Sequence, residues 1–329
     1  MNNSRTLRSD VPCSITVSSR PFPGASLFAS LAIALVVLAS ATAFASTPQG
    51  TFDRTLTVNG TVDLEVLTHS GDVTIRAGSS GSVQIHGKIF VSNRWLGGDH
   101  QAEVSQIAQN PPIHQEGNSV HIDYVAETHN ISVDYEITVP TNTVVHSHTG
   151  SGDQLIEGTH GNVDVQTGSG DVKLNNLTGE IHLQTGSGNL RAHEVAGPVR
   201  GGTGSGDIEI AETGSGDIDM HTGSGNIGVR GIHGAFHAET GSGDIAVEGT
   251  QTGAWEIHTG SGNVRAHLPA NAAFDADINT SSGTIDVNSP IEMTVQGRVQ
   301  ETRKQIHGKV RGGGPLLSVR TGSGDIQID

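Results

Sequence analysis

Aspartate or asparagine recurs at one fixed place in this 329-residue chain, directly after a Thr-Gly-Ser-Gly phrase. Aspartate stands there at Asp153, Asp171, Asp207, Asp217, Asp244 and Asp325, and asparagine at Asn189, Asn226 and Asn263. Carboxylates repeated along a row of turns could form a calcium site, because a hard cation needs several oxygen ligands. The candidates are Asp153, Asp171, Asp207, Asp217 and Asp244. Two features argue for a simpler role. Calcium-binding nonapeptide rolls place the aspartate one residue further from the glycine and run in unbroken tandem. Carboxylates stacked about 4.8 Å apart also repel by roughly 1–3.5 kcal/mol for effective dielectrics of about 80 to 20. The interleaved asparagines relieve that repulsion without a metal. The expectation is turn capping by the side-chain oxygen, with no metal and no cofactor.

The 17 histidines of the chain raise the same question for zinc. His148, His221 and His258 each stand just before the Thr of the phrase, and His146 and His148 share one side of a strand. Zinc wants three or four converging ligands. Gln166, Gln184 and Gly202 follow His148 at the equivalent places, so these histidines are not consecutive. They read as solvated strand-face residues that gain charge below neutrality.

Nothing in the chain forms a hydrolase grouping. The Gly-Ser-Gly triplets belong to repeat turns rather than to a nucleophile elbow, and neither a His-Glu-x-x-His nor a phosphate loop occurs. Glu209, Asp219 and Glu256 point outward from strands, as acids on a solvated face commonly do. Between residues 141 and 329 the aromatics are Phe236, Trp255 and Phe274, the first two at inward places, so no sugar platform is expected there.

What positions these residues is a repeat. The second glycines of the phrases, Gly152, Gly170, Gly188, Gly206, Gly225, Gly243 and Gly262, recur at a near-constant interval. A second glycine column lies halfway between, at Gly161, Gly179, Gly197, Gly216, Gly234 and Gly253. The phrase at Thr213 belongs to this second column. After each glycine comes apolar–polar–apolar alternation, as in Val172-Lys173-Leu174 and Ile208-Glu209-Ile210, the period of a strand with one buried face. Half-units of about nine residues are too short for helical crossovers. The chain therefore reads as a parallel β-solenoid with about 18 residues and two strands per coil, all-β, with a less regular N-terminal β region. One coil cannot stand alone. Ordering its backbone costs roughly 18–36 kcal/mol, and four inward aliphatics return only about 6–12 kcal/mol, so contacts between coils must carry the fold.

Residues 1–45 read as a cleaved export signal. Arg5, Arg8 and Arg20 precede the apolar run Leu27–Leu38, and Ala43-Phe44-Ala45 fits the cleavage site. The lone cysteine, Cys13, leaves with it. Formal net charge is −16, and without the three arginines and Asp10 of the leader it becomes −18. That excludes nucleic acid as a partner, and no stable membrane span is expected after cleavage. Residues 51–140 form the N-terminal β region, with one short helix that Asp99 caps and Gln109 ends. The regular solenoid covers 141–285. Residues 286–329 are capping strands and a last repeat, in which Arg298, Arg303, Lys304 and Lys309 discourage end-to-end strand addition; the basic run Arg298–Arg311 reads as a solvated cap.

These phrases resemble the bacterial putative-adhesin β-strand-repeat family, a Gly-Ser-Gly-Asp-repeat domain of unknown function, and the related auto-transporter adhesin head domains. The resemblance runs from Leu64-Glu65-Val66 and Ser70-Gly71-Asp72-Val73, through Trp95-Leu96 and Gly117-Asn118, to Gly312-Gly313-Gly314-Pro315 and Thr321–Ile326. It implies a β-solenoid exported to or displayed at the cell envelope, and brings no catalytic residues. The reading is a non-enzymatic scaffold or adhesion-type binding module in the periplasm, at the cell surface or outside the cell. Its partner is an unknown envelope protein or glycan, bound on the flat polar faces or on the turn edge rich in Thr, Ser and Asp. The alternatives are a carbohydrate-active β-helix enzyme and a periplasmic stress or assembly factor.

Overall fold

Val145, Val163, Ile181, Val199, Ile218, Phe236 and Trp255 stand side by side in one parallel ladder. A second parallel ladder aligns Gln154, Val172, Leu190, Ile208, Ile227, Ile245 and Val264. The computed structural model describes residues 47–78, 81–92, 100–125, 130–288, 291–292 and 304–329. The export signal, Asp99, Trp95-Leu96, Arg298 and Arg303 lie outside them. Among the described residues the fold is all-β apart from one helix, and parallel pairing dominates a large sheet that winds toward closure.

Strict alternation drives the winding. In Val163–Ser169 the side chains of Val163, Val165 and Thr167 are buried, while Gly168 and Ser169 face out. Except at Thr213, which is exposed, the threonine of the phrase is thus a core residue. Its hydroxyl donates to a glycine carbonyl of the coil below, as in Thr185 Oγ1 to Gly170 O at 3.1 Å and Thr240 Oγ1 to Gly225 O at 3.0 Å. A buried hydroxyl must find such an acceptor. Phe236 and Trp255 are core residues as expected: they meet edge to face at 5.8 Å, and Trp255 Nε1 donates to Gly234 O.

The stack begins early. Val62–Ser70 pairs along its length with Thr143–Ser151, Thr68 opposite Thr149. The phrase Thr68–Asp72 therefore forms the coil next to the one at Thr149, although a long stretch of chain separates the two. The intervening chain supplies the cap. Gly50–Thr57, Ser82–Val91 and Ile131–Val139 pair antiparallel, and the helix Gln101–Gln109 lays Val104 and Ile107 on this end. His100, not Asp99, stands at the helix N-cap, without a side-chain bond to the helix amides. Arg54 Nη2 donates to Gln109 O at the other end, where helix carbonyls lack partners.

The far end departs from chain order. The last phrase, in Leu316–Ser323, does not stack after the strand Phe274–Ser282. It lies between that strand and Ile245–Ser261, pairing in parallel with both: Leu317 is opposite Trp255 on one side and Ala276 on the other. Ile326–Ile328 is likewise held between Val264–His267 and Ile285–Val287. The antiparallel strand Gln305–Val310 covers the outer edge of Phe274–Ser282. Among the described residues, no helix is long and apolar enough to cross a membrane.

Candidate functional site

The Asp/Asn column has a definite job. Each side chain reaches along the stack and accepts the backbone N–H of the equivalent residue in the neighbouring coil. Asp153 Oδ1 accepts from Asp171 N at 2.9 Å, Asp171 from Asn189 at 2.8 Å, Asn189 from Asp207 at 3.0 Å and Asp207 from Asn226 at 2.8 Å. The chain of bonds continues through Asp244 to Asn263 and Asp325. Asp217 sits on the opposite turn, where its Oδ1 accepts from Ala235 N at 3.0 Å. The sequence reading placed such caps within one turn; in the structure they join successive coils. The bond to the backbone amide needs only an accepting oxygen, which Asp and Asn both supply; Asn189 and Asn226 also donate a side-chain N–H to the aspartate of the coil before. Among the described residues, no three His, Cys, Asp or Glu side chains converge as metal ligands would.

At Asp171 and Asp325 these bonds favour the charged carboxylate. The Asn189 amide, helped by the Arg191 guanidinium, lowers the Asp171 carboxyl below its ordinary range. The Thr284 amide and hydroxyl do the same for Asp325. A depressed folded pKa adds stability above the unfolded value, and that stability is lost as pH falls through the folded value. Replacing Asp207 with Ala strands the Asn226 amide and is expected to cost about 1 kcal/mol, as losing a helix N-cap does. Asp207→Asn keeps the oxygen and should leave the melting temperature essentially unchanged. Equal losses for the two variants would show that charge, not the acceptor, matters.

The outward residues form two rows on the first ladder. His148, Gln166, Gln184, Gly202, His221, Glu239 and His258 make one, and His146, Asp164, His182, Arg200, Asp219, His237 and Glu256 the other. The three equivalent histidines share a row but not neighbouring places, apart from which Glu239 stands between His221 and His258. Nor do the outward acids meet. Glu256 faces His237 at 3.7 Å, Glu209 pairs with Arg230 at 3.0 Å on the other ladder, and Asp219 lies beside Arg200 in the register.

One end of this face is different. Beside the row runs the column of first glycines of the phrase, Gly150, Gly168 and Gly186, where a side chain would run into the neighbouring coil's backbone. The same place in the preceding coil is His69; the strand on its outer side, Ser119–Ile122, pairs only as far as Val66 and so leaves its side chain room. Its ring stacks on Tyr124, with centroids 4.4 Å apart and planes 21° from parallel. Tyr124 is 44% exposed. The pair closes one end of a trough of about 450 Å³, floored by the glycines and walled by His148, Gln166 and Gln184. Beyond it the His221 ring lies over Gly202. Sequence reasoning missed this site. It sought aromatics only in the regular repeat, whereas Tyr124 comes from the N-terminal region and meets His69 from far along the chain.

Sequence reasoning also missed Glu212. Leu177 pairs with Val195 and Val195 with Glu212 in a short inward row. Between Ala211 and Glu212 this coil lacks the left-handed residue that Asn176 and Glu194 supply in the two coils before, and the register slips there. Glu212, not Thr213, turns into the core. It is 6% exposed, and neither carboxylate oxygen has a hydrogen-bond partner. Burial, with a smaller contribution from Asp217, raises its pKa from 4.5 to about 7, against the pull of the nearby His233 amide, which lies outside hydrogen-bond geometry. A raised folded pKa means that the charged form strains the fold above pH 7, and the strain eases as pH falls from about 7 towards 4.5. The Glu212→Leu protein should therefore be more stable at pH 8, by about 2 kcal/mol, and this advantage should shrink at pH 5. Urea melts of both proteins at the two pH values check it. An advantage independent of pH would show that Glu212 is not charged in the core.

Crystal structures with similar arrangements include a putative adhesin from Bacteroides fragilis NCTC 9343, 14% identical over 86% of this chain and 100% of that one, with a TM-score of 0.39. A putative adhesin from Parabacteroides distasonis ATCC 8503 is 13% identical, over 85% of this chain and 98% of that one, with a TM-score of 0.35. A protein from the same organism described as a putative lipid binding protein is 12% identical, over 85% and 97%, with a TM-score of 0.38. At these scores the likenesses carry no argument about ligands. A search of curated proteins gave no match. The model of one family, described as Toastrack, a domain of unknown function, matches residues 61–329, from the first coil to the last residue. The chain belongs to the Toastrack family.

Proposed function

We propose that this chain is a non-enzymatic binding module or scaffold of the cell envelope, exported by the leader at residues 1–45. In this reading it is a β-solenoid with two strands per coil and the coil length of the glycine repeat, akin to the Gly-Ser-Gly-Asp-repeat and auto-transporter adhesin domains. The observation that carries it is the arrangement of the outward rows. They present a long polar surface on a rigid stack, while the acids that could do chemistry stand singly or pair with a cation: Glu209 with Arg230, and Glu256 with a neighbouring histidine. A surface of this kind recognises by fit rather than by reaction. Calcium has no part in the reading, since one oxygen of each candidate aspartate already accepts an amide.

The test is cell fractionation followed by binding. Expressed in a bacterial host, the chain should leave the cytoplasm with Ser46 as its new N-terminus. The purified mature protein should bind isolated envelopes saturably, in chelator as well as in calcium, and release no soluble fragments from them. Retention of the leader in the cytoplasm, or steady release of saccharide fragments, would overturn the proposal.

A further inference from the structure

We infer that the trough beside Tyr124 is a binding subsite for a neutral oligosaccharide. The inference rests on the binding-module reading and narrows it to one place and one ligand class. Its first support is charge. The chain carries a net −16, yet no residue lining the trough is Asp, Glu, Lys or Arg. Further along the same row Glu239 restores a charge. An uncharged patch on an acidic surface suits a ligand that has no charge to match.

The second support is the type of group. Gln166 and Gln184 carry amides that both donate and accept, and His148 an imidazole that does the same in its neutral form. They stand on successive coils, about 4.8 Å apart. Sugar hydroxyls need this dual capacity. Tyr124 and His69 end the trough with a stacked aromatic pair against which the apolar C–H side of a pyranose can pack. The glycine floor lets a ring approach the backbone with no side chain between. A volume of about 450 Å³ holds two or three sugar units.

Other ligand classes fit less well. Phosphate chains need lysine or arginine, which the lining lacks. An extended peptide docks by adding to a free strand edge, but the strand Val163–Ser169 is paired on both sides. An acyl chain needs apolar walls, where this trough has amides and imidazoles.

The test titrates maltohexaose, cellohexaose and mannohexaose into the mature protein by calorimetry, with hyaluronan hexasaccharide as the charged control. At least one neutral probe should bind, with Kd of about 0.1–1 mM, as suits a single open subsite. Tyr124→Ala should weaken it about tenfold or more, and Gln184→Ala should weaken it as well. Both positions are exposed, so the melting temperature should hold. His258→Ala, in the same row but several coils away, should leave the affinity unchanged. The inference fails if no neutral probe binds, if Tyr124→Ala binds as well as the original, or if the charged probe binds best. Where it fails but envelopes still retain the protein, the binding-module reading stands and its surface lies elsewhere. Where envelope retention also fails, both fall.

Discussion

Removing residues 316–329 should unravel the far end of the stack and leave the coils nearer the N-terminus folded. These residues fill a slot between two other coils, so their loss opens a gap inside the sheet. Leu317, Val319, Ile326 and Ile328 are each at most 1% exposed. Their burial is worth about 6–12 kcal/mol, comparable with the whole stability of an ordinary domain, about 5–15 kcal/mol. Trp255 and Ile257 on one side, and Ile278 on the other, would also lose the neighbours that cover them. Asp329 adds two backbone bonds, to Leu268 and to Ala266. In a solenoid each coil is stabilised chiefly by its neighbours, so the damage should stop near Ile245–Ser261. Hydrogen exchange should find the amides of Phe274–Ser282 unprotected in the shortened chain, and those of Val163–Ser169 and Ile181–Ser187 as slow as before. Undiminished protection in Phe274–Ser282 would refute the inserted position of the last phrase.

Gly243→Ala should be the most damaging single substitution, costing about 4 kcal/mol or more, at the diagnostic end of the usual range. Two effects combine. The backbone is at φ +151°, where side chains are rarely tolerated, and a β-carbon there would overlap the carbonyl of Gly225 in the coil below. That carbonyl also accepts the Thr240 hydroxyl, so it cannot move without breaking a buried bond. Gly117→Ala separates the two effects. Its φ is +63°, but a β-carbon would meet nothing within 4 Å. The cost there should be that of the left-handed conformation alone, about 1–2 kcal/mol. Chemical denaturation of both variants gives the comparison. Equal losses would mean that conformation, not coil-to-coil contact, explains the glycine column.

The repeat was readable because winding imposes identical demands at every coil. A place where backbones meet must be glycine each time, and an inward place must be apolar or, for the threonine, able to reach a carbonyl. Departures from the rhythm were where reading failed. The coil of Glu212 lacks the left-handed residue that Asn176 and Glu194 supply in the two coils before, and this moved Glu212 into a row otherwise occupied by Leu177 and Val195. Alternation alone could not show this, because the flanking residues fit either register.

The sequence by itself determined the coil-forming pattern, the glycine columns and the row of Asp and Asn oxygens, since each depends only on local geometry repeated at a near-constant interval. Only the tertiary structure decided the order in which the coils stack at the two ends. There the chain leaves a gap and later returns to fill it, and the pairing is chosen by long-range burial rather than by nearness along the chain. The same is true of the His69–Tyr124 stack. It exists because the first coil leaves room for a side chain that every later coil must exclude, and because the cap brings a distant tyrosine to that opening.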